Sequence, residues 1–260
     1  MFNFVRVRKV ARLLCLGVLA VSALASSVLF AQQKKHESLR VAVASNFSAT
    51  AVELLELFEQ QNDVDTQLNI GSTGKLTSQI EFGLDVDVFL AADRERPTYL
   101  IEKGLVIGDK GFTYALGRLM LWSPKANTVI DKQTFDDDNL KHLAMANPRL
   151  APYGRAAQQT IEAMGISLQL KDKIVFGENV SQTLQFARSG NAEYAFIAQS
   201  QYLALGSGSS WLVPQTMYDP VEQHAVQLSQ SSIASLFMQF LDSETARDII
   251  VKHGYGLPNG

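Results

Sequence analysis

The chain has 260 residues, with 23 basic and 26 acidic side chains and a net charge of −3. Residues 1–31 carry four basic residues and no acid, which leaves the remainder at about −7. This balance excludes a nucleic-acid surface, and it requires any bound anion to be held by local dipoles rather than by global attraction.

In chain order, Arg6, Arg8, Lys9 and Arg12 precede an apolar run from Leu13 to about Leu24, followed by small residues. That is the three-part pattern of a secretory signal peptide over 1–31, with cleavage after Ala25 or Ala31. The run is too short and too rich in Ala and Ser for a membrane span. Cys15 is the only cysteine, and Leu14 stands before it where lipidation needs a small residue. The processed chain then has no disulfide, thiolate metal site or cysteine nucleophile.

Leu39 to Ala44 reads as a buried strand, and Phe47 to Gln60 as a helix with Ala51, Leu54, Leu55 and Phe58 on one face. Val64 to Ile70 alternates like a strand, Leu76 to Phe82 is helical up to Gly83, and Asp87 to Ala92 is a buried strand. Arg94 to Lys103 is a helix stopped by Gly104. Tyr114 to Trp122 reads as one strand passing between lobes, and Asp136, Asp137 and Asp138 as a solvated loop. A second series follows: strand Leu143 to Ala146, helix Tyr153 to Met164, strand Ile174 to Phe176, helix Val180 to Arg188 and strand Glu193 to Ala198. Gln223 to Leu228 reads as a return strand, and Ser231 to Lys252 as two helices broken near Asp242-Ser243. Strands alternating with helices of this length predict an α/β fold with mostly parallel sheets.

Two small-polar turns carry the chemistry: Val43-Ala44-Ser45-Asn46-Phe47 and Ile70-Gly71-Ser72-Thr73-Gly74. Each joins a strand to a helix. The first N–H groups of a helix lack intrahelical partners, and with the helix dipole they favour negative charge. Ser45, Asn46, Ser72 and Thr73 add side-chain donors, although Ser and Asn also serve as ordinary N-caps. Gly74-Lys75 departs from a phosphate-binding loop at Leu76 and at Asn69. Asn147 to Gly154 and Gly177 to Val180 open two later helices in the same way, and Glu178 is expected to point away from any anion. Catalytic constellations are absent: His36, His142, His224 and His253 are scattered, and no Gly-x-Ser-x-Gly elbow occurs.

The succession of Val43-Ala44-Ser45-Asn46-Phe47, Gly71-Ser72-Thr73-Gly74-Lys75-Leu76, Asp87 to Asp93, Asn147-Pro148, Pro152-Tyr153-Gly154 and Glu178-Asn179-Val180 resembles the periplasmic molybdate-binding proteins, the substrate-binding components of ABC importers. The resemblance implies a two-lobed periplasmic binding protein fold. Its expected parts are a signal peptide at 1–31, lobe I at 32–120, lobe II at 121–220 and a return to lobe I at 221–260. It also implies an inter-lobe cleft that closes on molybdate or tungstate, and no catalytic residue, cofactor or cationic metal site. The ligand set it implies is Ser45, Asn46, Ser72 and Thr73 from lobe I, with Tyr153 and Val180 from lobe II. Some members place a ligand tyrosine where this chain has Ala198, and Asn46 and Tyr153 are expected to compensate.

The implied protein is a periplasmic monomer that binds no nucleic acid and delivers its anion to a membrane permease. About half a dozen neutral donors satisfy a tetrahedral dianion, because charge-assisted bonds exceed neutral ones in strength. Size selects against sulfate, since each buried bond left unmade costs about 1–3 kcal/mol. The alternatives are a binding protein for sulfate, phosphate or a small organic anion, an exported α/β enzyme, and an interaction module with an exposed apolar patch.

Overall fold

The computed structural model describes residues 37–108, 111–136 and 140–258. The expected signal peptide, and Asp137 and Asp138 of the acid cluster, lie outside the described residues. The chain begins with β1 (Ser38–Ala44), a 3-10 turn (Ser45–Phe47), α1 (Ser48–Asn62), β2 (Asp65–Gly71), α2 (Thr73–Glu81), β3 (Val88–Ala91), α3 (Glu95–Glu102) and β4 (Phe112–Gly117). It continues with β5 (Leu119–Ser123), β6 (Leu143–Ala146), α4 (Pro152–Ala163), the short α5 (Ser167–Leu170), β7 (Ile174–Gly177), α6 (Val180–Arg188), β8 (Tyr194–Ala198), α7 (Gln199–Leu205) and β9 (Ser209–Leu212). It closes with β10 (Val221–Gln227), α8 (Ser232–Leu241) and α9 (Glu244–Lys252).

The strands form two five-stranded sheets, ordered β2-β1-β3-β10-β4 and β7-β6-β8-β5-β9. In each, three neighbouring strands pair in parallel, a fourth (β10 or β5) pairs antiparallel to them, and the fifth (β4 or β9), antiparallel to that one, runs in the direction of the first three. The fold is therefore two α/β lobes, each with three neighbouring parallel strands that share a carboxyl edge.

Alternation explains the layering. In β1, Leu39, Val41 and Val43 enter one core, with Phe47, Leu54 and Phe58 from the 3-10 turn and α1, and Phe237 from α8. Ala42 enters the opposite core, with Leu76, Ile80, Phe89 and Leu100. In β5, Leu119 and Leu121 are likewise separated from Met120 and Trp122. Successive strand residues face opposite sides, so strands apolar throughout must be covered on both faces. Asp87 packs against β1: its carboxylate accepts from the Arg40 N–H at 2.8 Å, and from Nε and Nη2, each at 3.1 Å.

The single strand expected over 114–122 is two strands in different sheets. β4 ends at Gly117 in one sheet, and β5 begins at Leu119 in the other. Arg118 is thus the crossover, because the hydrophobic run serves two cores in succession. The predicted break in the closing helices falls at Ser243, whose hydroxyl caps α9 by accepting from the Ala246 N–H. Among the described residues no helix is long and apolar enough to cross a membrane.

His224 of β10 lies 3.1 Å from the Thr113 hydroxyl. Burial, and then the Arg94 charge, lower its pKa from 6.5 to about 4. Between those values the unfolded chain binds a proton that the folded chain refuses. Stability present above pH 6.5 is therefore lost as the pH falls towards 4, by up to about 3 kcal/mol. Urea unfolding of the wild type and of His224→Gln across this range is expected to show a shallower pH slope for the variant. An unchanged slope would assign the dependence to other groups.

Candidate functional site

Strand register sets the site. Ala44 pairs with Gly71 in adjacent parallel strands, so the turns at Ser45-Asn46 and Ser72-Thr73 leave the sheet side by side. In the other lobe Ala146 pairs with Gly177, which brings the loop before α4 beside the start of α6. Carboxyl edges of parallel strands are where α/β folds collect ligands.

Ser72 stands at the N-cap of α2 with extended backbone, yet its side chain makes no cap bond. Its hydroxyl is buried and has no hydrogen-bond partner. An ordinary cap would bond an N–H of the first turn, and an unpaired buried hydroxyl costs about 1–3 kcal/mol. The Thr73 hydroxyl accepts from the Ala92 N–H at 3.2 Å. That bond uses a lone pair and leaves the hydroxyl proton to donate.

Asn46 differs from expectation. Its side-chain amide donates to Gln223 Oε1 at 2.7 Å and to the Tyr255 hydroxyl at 3.1 Å. A primary amide has two protons, so both side-chain donors expected for a ligand are committed inside the protein. Its carbonyl in turn accepts from Ser200 Oγ at 2.9 Å and from the Tyr255 hydroxyl at 2.7 Å. Asn46 is held by four hydrogen bonds from three residues, and its remaining donor for an anion is its backbone N–H. Ser45 is buried beside it, and the Ser181 hydroxyl of α6 approaches the Ser45 carbonyl at 3.5 Å.

From the second lobe, Tyr153 follows Pro152 at the start of α4. Its hydroxyl is buried and unpartnered. Burial raises its pKa well above the ordinary value, with Tyr255 adding to the effect, so it is a neutral donor at physiological pH. The Tyr255 hydroxyl is close enough to influence it, but the geometry closes no hydrogen bond between them. The phenol abuts the crossover: a Cβ on Gly117 would lie 2.1 Å from the Tyr153 hydroxyl oxygen. Val180 opens α6, where the Asn179 carboxamide caps the N–H groups of Ser181 and Gln182, each at 3.0 Å, and not that of Val180. Ala198 is fully buried at the end of β8, and its N–H is taken by Gln201 Oε1 at 3.0 Å.

Contacts between the lobes bring side by side the segments that carry the six predicted residues. The first turn meets α6 through Ser45 and Ser181, and the second meets the loop before Tyr153 through a Gly74 N–H to Leu150 carbonyl bond of 2.8 Å. Tyr153 and Gln223 both approach Gly117, and Gln223 holds Asn46. The cations at the rim are paired: Lys75 with Glu178 at 2.9 Å, Arg155 with Asp93 at 3.0 Å, and Arg96 with Asp93. Glu178 thus faces Lys75 rather than the donors. Among the described residues no group of three or more His, Cys, Asp or Glu could hold a metal ion.

A cavity of about 630 Å³ opens on the hinge between Arg118, Pro214, Tyr218 and Leu257, but the four donor-bearing turns do not line it. Sequence reasoning missed Gly117, Ser200, Gln223 and Tyr255. None of the four left a sequence signal: Gln223 stands among Glu222, His224 and Gln227 in β10, and only the fold shows it fully buried.

The arrangement sets uncharged hydroxyls and helix starts from both lobes along the interface between them. The family described as bacterial extracellular solute-binding protein matches residues 39–256. The molybdate-binding protein ModA of Rhodobacter capsulatus is 39% identical over 217 residues, covering 82% of this chain and 86% of that protein. ModA of Azotobacter vinelandii is 38% identical over 248 residues, covering 93% and 94%. The solved structure of the A. vinelandii periplasmic molybdate-binding protein superposes with a TM-score of 0.81 at 32% identity, covering 85% of this chain and all of that one.

Proposed function

This chain belongs to the bacterial extracellular solute-binding protein family, and we propose that it captures molybdate outside the cytoplasm and delivers it to the permease of an ABC importer. The two relatives at 38–39% identity are molybdate-binding proteins, and each covers more than four fifths of the chain. The observation that carries the reading is that two of the four buried hydroxyls without a partner among the described residues, Ser72 and Tyr153, stand at helix starts in opposite lobes. A tetrahedral oxyanion supplies the acceptors they lack. In this reading Ser72, Thr73 and Tyr153 donate hydroxyl protons, and Ser45, Asn46 and Val180 donate through backbone N–H groups. Tungstate, nearly the same size, fits the same cage. The neutral walls match a dianion without arginine or lysine, because several charge-assisted bonds in a low-dielectric site suffice. The protein acts as a periplasmic monomer, takes no cofactor and carries out no catalysis.

Thermal unfolding of the exported, processed protein with about 1 mM molybdate, tungstate, sulfate or phosphate tests this. A ligand at about 1,000 times its Kd adds about 4 kcal/mol, a rise of about 10 °C for a chain of this size. A rise with molybdate and tungstate alone is expected. A rise with sulfate or phosphate would overturn the specificity, and no rise with any of the four would overturn anion capture.

A further inference from the structure

Between β3 and α3, outside the donor cage, the mostly buried carboxylate of Asp93 joins the two lobes. Its Oδ1 accepts from the Arg96 N–H at 3.1 Å. Its Oδ2 accepts from Arg96 Nη1 in the same lobe and, at 3.0 Å, from Arg155 Nη2 of α4 in the other. Arg155 also places Nη1 on Glu95 Oε2 at 2.5 Å. Arg96 sends Nη2 the other way, to the Arg149 carbonyl, at 2.8 Å. Two arginines thus cross the cleft in opposite directions, with one carboxylate between them.

We propose that Asp93, Arg96 and Arg155 form an inter-lobe latch that sets how long the bound anion is retained, a role that rests on the anion-capture reading. Arg155 lies two residues from Tyr153, so on a helix the two project from different faces. Tyr153 serves the cage and Arg155 the rim. The rim bonds exist only when the lobes are together, so they favour the closed state without touching the ligand. An interaction confined to one of two states shifts the population between them by its own free energy. The two arginines are balanced by Asp93 and Glu95, so the latch adds no net charge that would compete for a dianion. Arg155 is itself 40% exposed, but its partner Asp93 is only 10% exposed. In the Lys75–Glu178 pair across the rim both side chains are exposed, at 51% and 40%, and pairs with both partners exposed contribute little. That pair provides the internal comparison.

Arg155→Gln, Arg155→Lys and Lys75→Gln in the exported protein test the latch. Molybdate release is read by stopped-flow tryptophan fluorescence, since Trp122 and Trp211 both lie in the second sheet. Lobe closure is read as the radius of gyration by small-angle scattering, with and without molybdate. Arg155→Gln is expected to release molybdate about five-fold faster, with association changed less than about twofold and a more open empty protein. Arg155→Lys should fall between, and Lys75→Gln should stay within about twofold of wild type. Molybdate binding with unchanged release and unchanged closure in both Arg155 variants overturns the latch and leaves the ligand reading standing. Opening by Arg155→Gln in a protein that does not bind molybdate overturns the ligand reading and leaves the latch.

Discussion

Gly117→Ala is expected to weaken molybdate binding at least about a hundredfold, close to 3 kcal/mol, while the unliganded protein still folds. Gly117 does not adopt a positive φ, so alanine meets no backbone strain there. The effect is steric and falls on one side chain. The new Cβ would stand 2.1 Å from the Tyr153 hydroxyl oxygen and 2.9 Å from Cζ, with Gln223 Nε2 at 3.2 Å. Contacts that short are not tolerated, so either the phenol withdraws or the second lobe stops short of closure. Both outcomes remove the Tyr153 donor, and incomplete closure also displaces the N–H groups at the starts of α4 and α6. A charge-assisted bond contributes about 1.5–3 kcal/mol, so losing one or two accounts for the predicted magnitude. Isothermal titration of Gly117→Ala, Tyr153→Phe and the double variant checks the cause. Coupling through one phenol requires strong non-additivity, and additive losses would disprove the steric account.

Ser72→Ala is expected to move binding and stability in opposite directions. Affinity for molybdate should fall by about ten- to a hundredfold, the worth of one hydrogen bond to a charged acceptor. The empty protein should unfold at the same temperature or slightly higher, because the substitution removes a buried hydroxyl that has no partner. A plain helix cap behaves otherwise, since its loss costs about 1 kcal/mol of stability and no affinity. Calorimetric unfolding with and without molybdate separates the two, and a destabilised empty protein with normal affinity would make Ser72 structural. Asn46→Ala supplies the contrast. It strips donors from Gln223 and Tyr255, so stability and affinity should fall together.

Much of this was legible in the chain. The runs over Leu39–Ala44 and Asp87–Ala92 read as buried strands, and the strands found there, Ser38–Ala44 and Val88–Ala91, are each covered on both sides. The turns at Ser45-Asn46 and Ser72-Thr73 read as helix starts because small polar residues and glycine between a strand and an amphipathic run have few other uses. The resemblance carried by the same short motifs pointed to a two-lobed fold. These features are local: propensity, periodicity and capping act within a few residues of one another.

The sequence by itself determined where donors could be presented, and only the tertiary structure decided which of them are free. Asn46 offered two side-chain protons by composition, but Gln223 and Tyr255, 177 and 209 residues away, consume both. Ser72 looked like any N-cap until its surroundings left its hydroxyl without a partner. Gly117 fell inside a stretch read as one strand, and only the approach of Tyr153 from the other lobe makes its missing side chain a requirement. The crossover at Arg118 was hidden for the same reason, since one apolar run fed two cores. A hydrogen-bond donor is available or spent according to what packs against it, and close packing between lobes is set by contacts that neither periodicity nor spacing records.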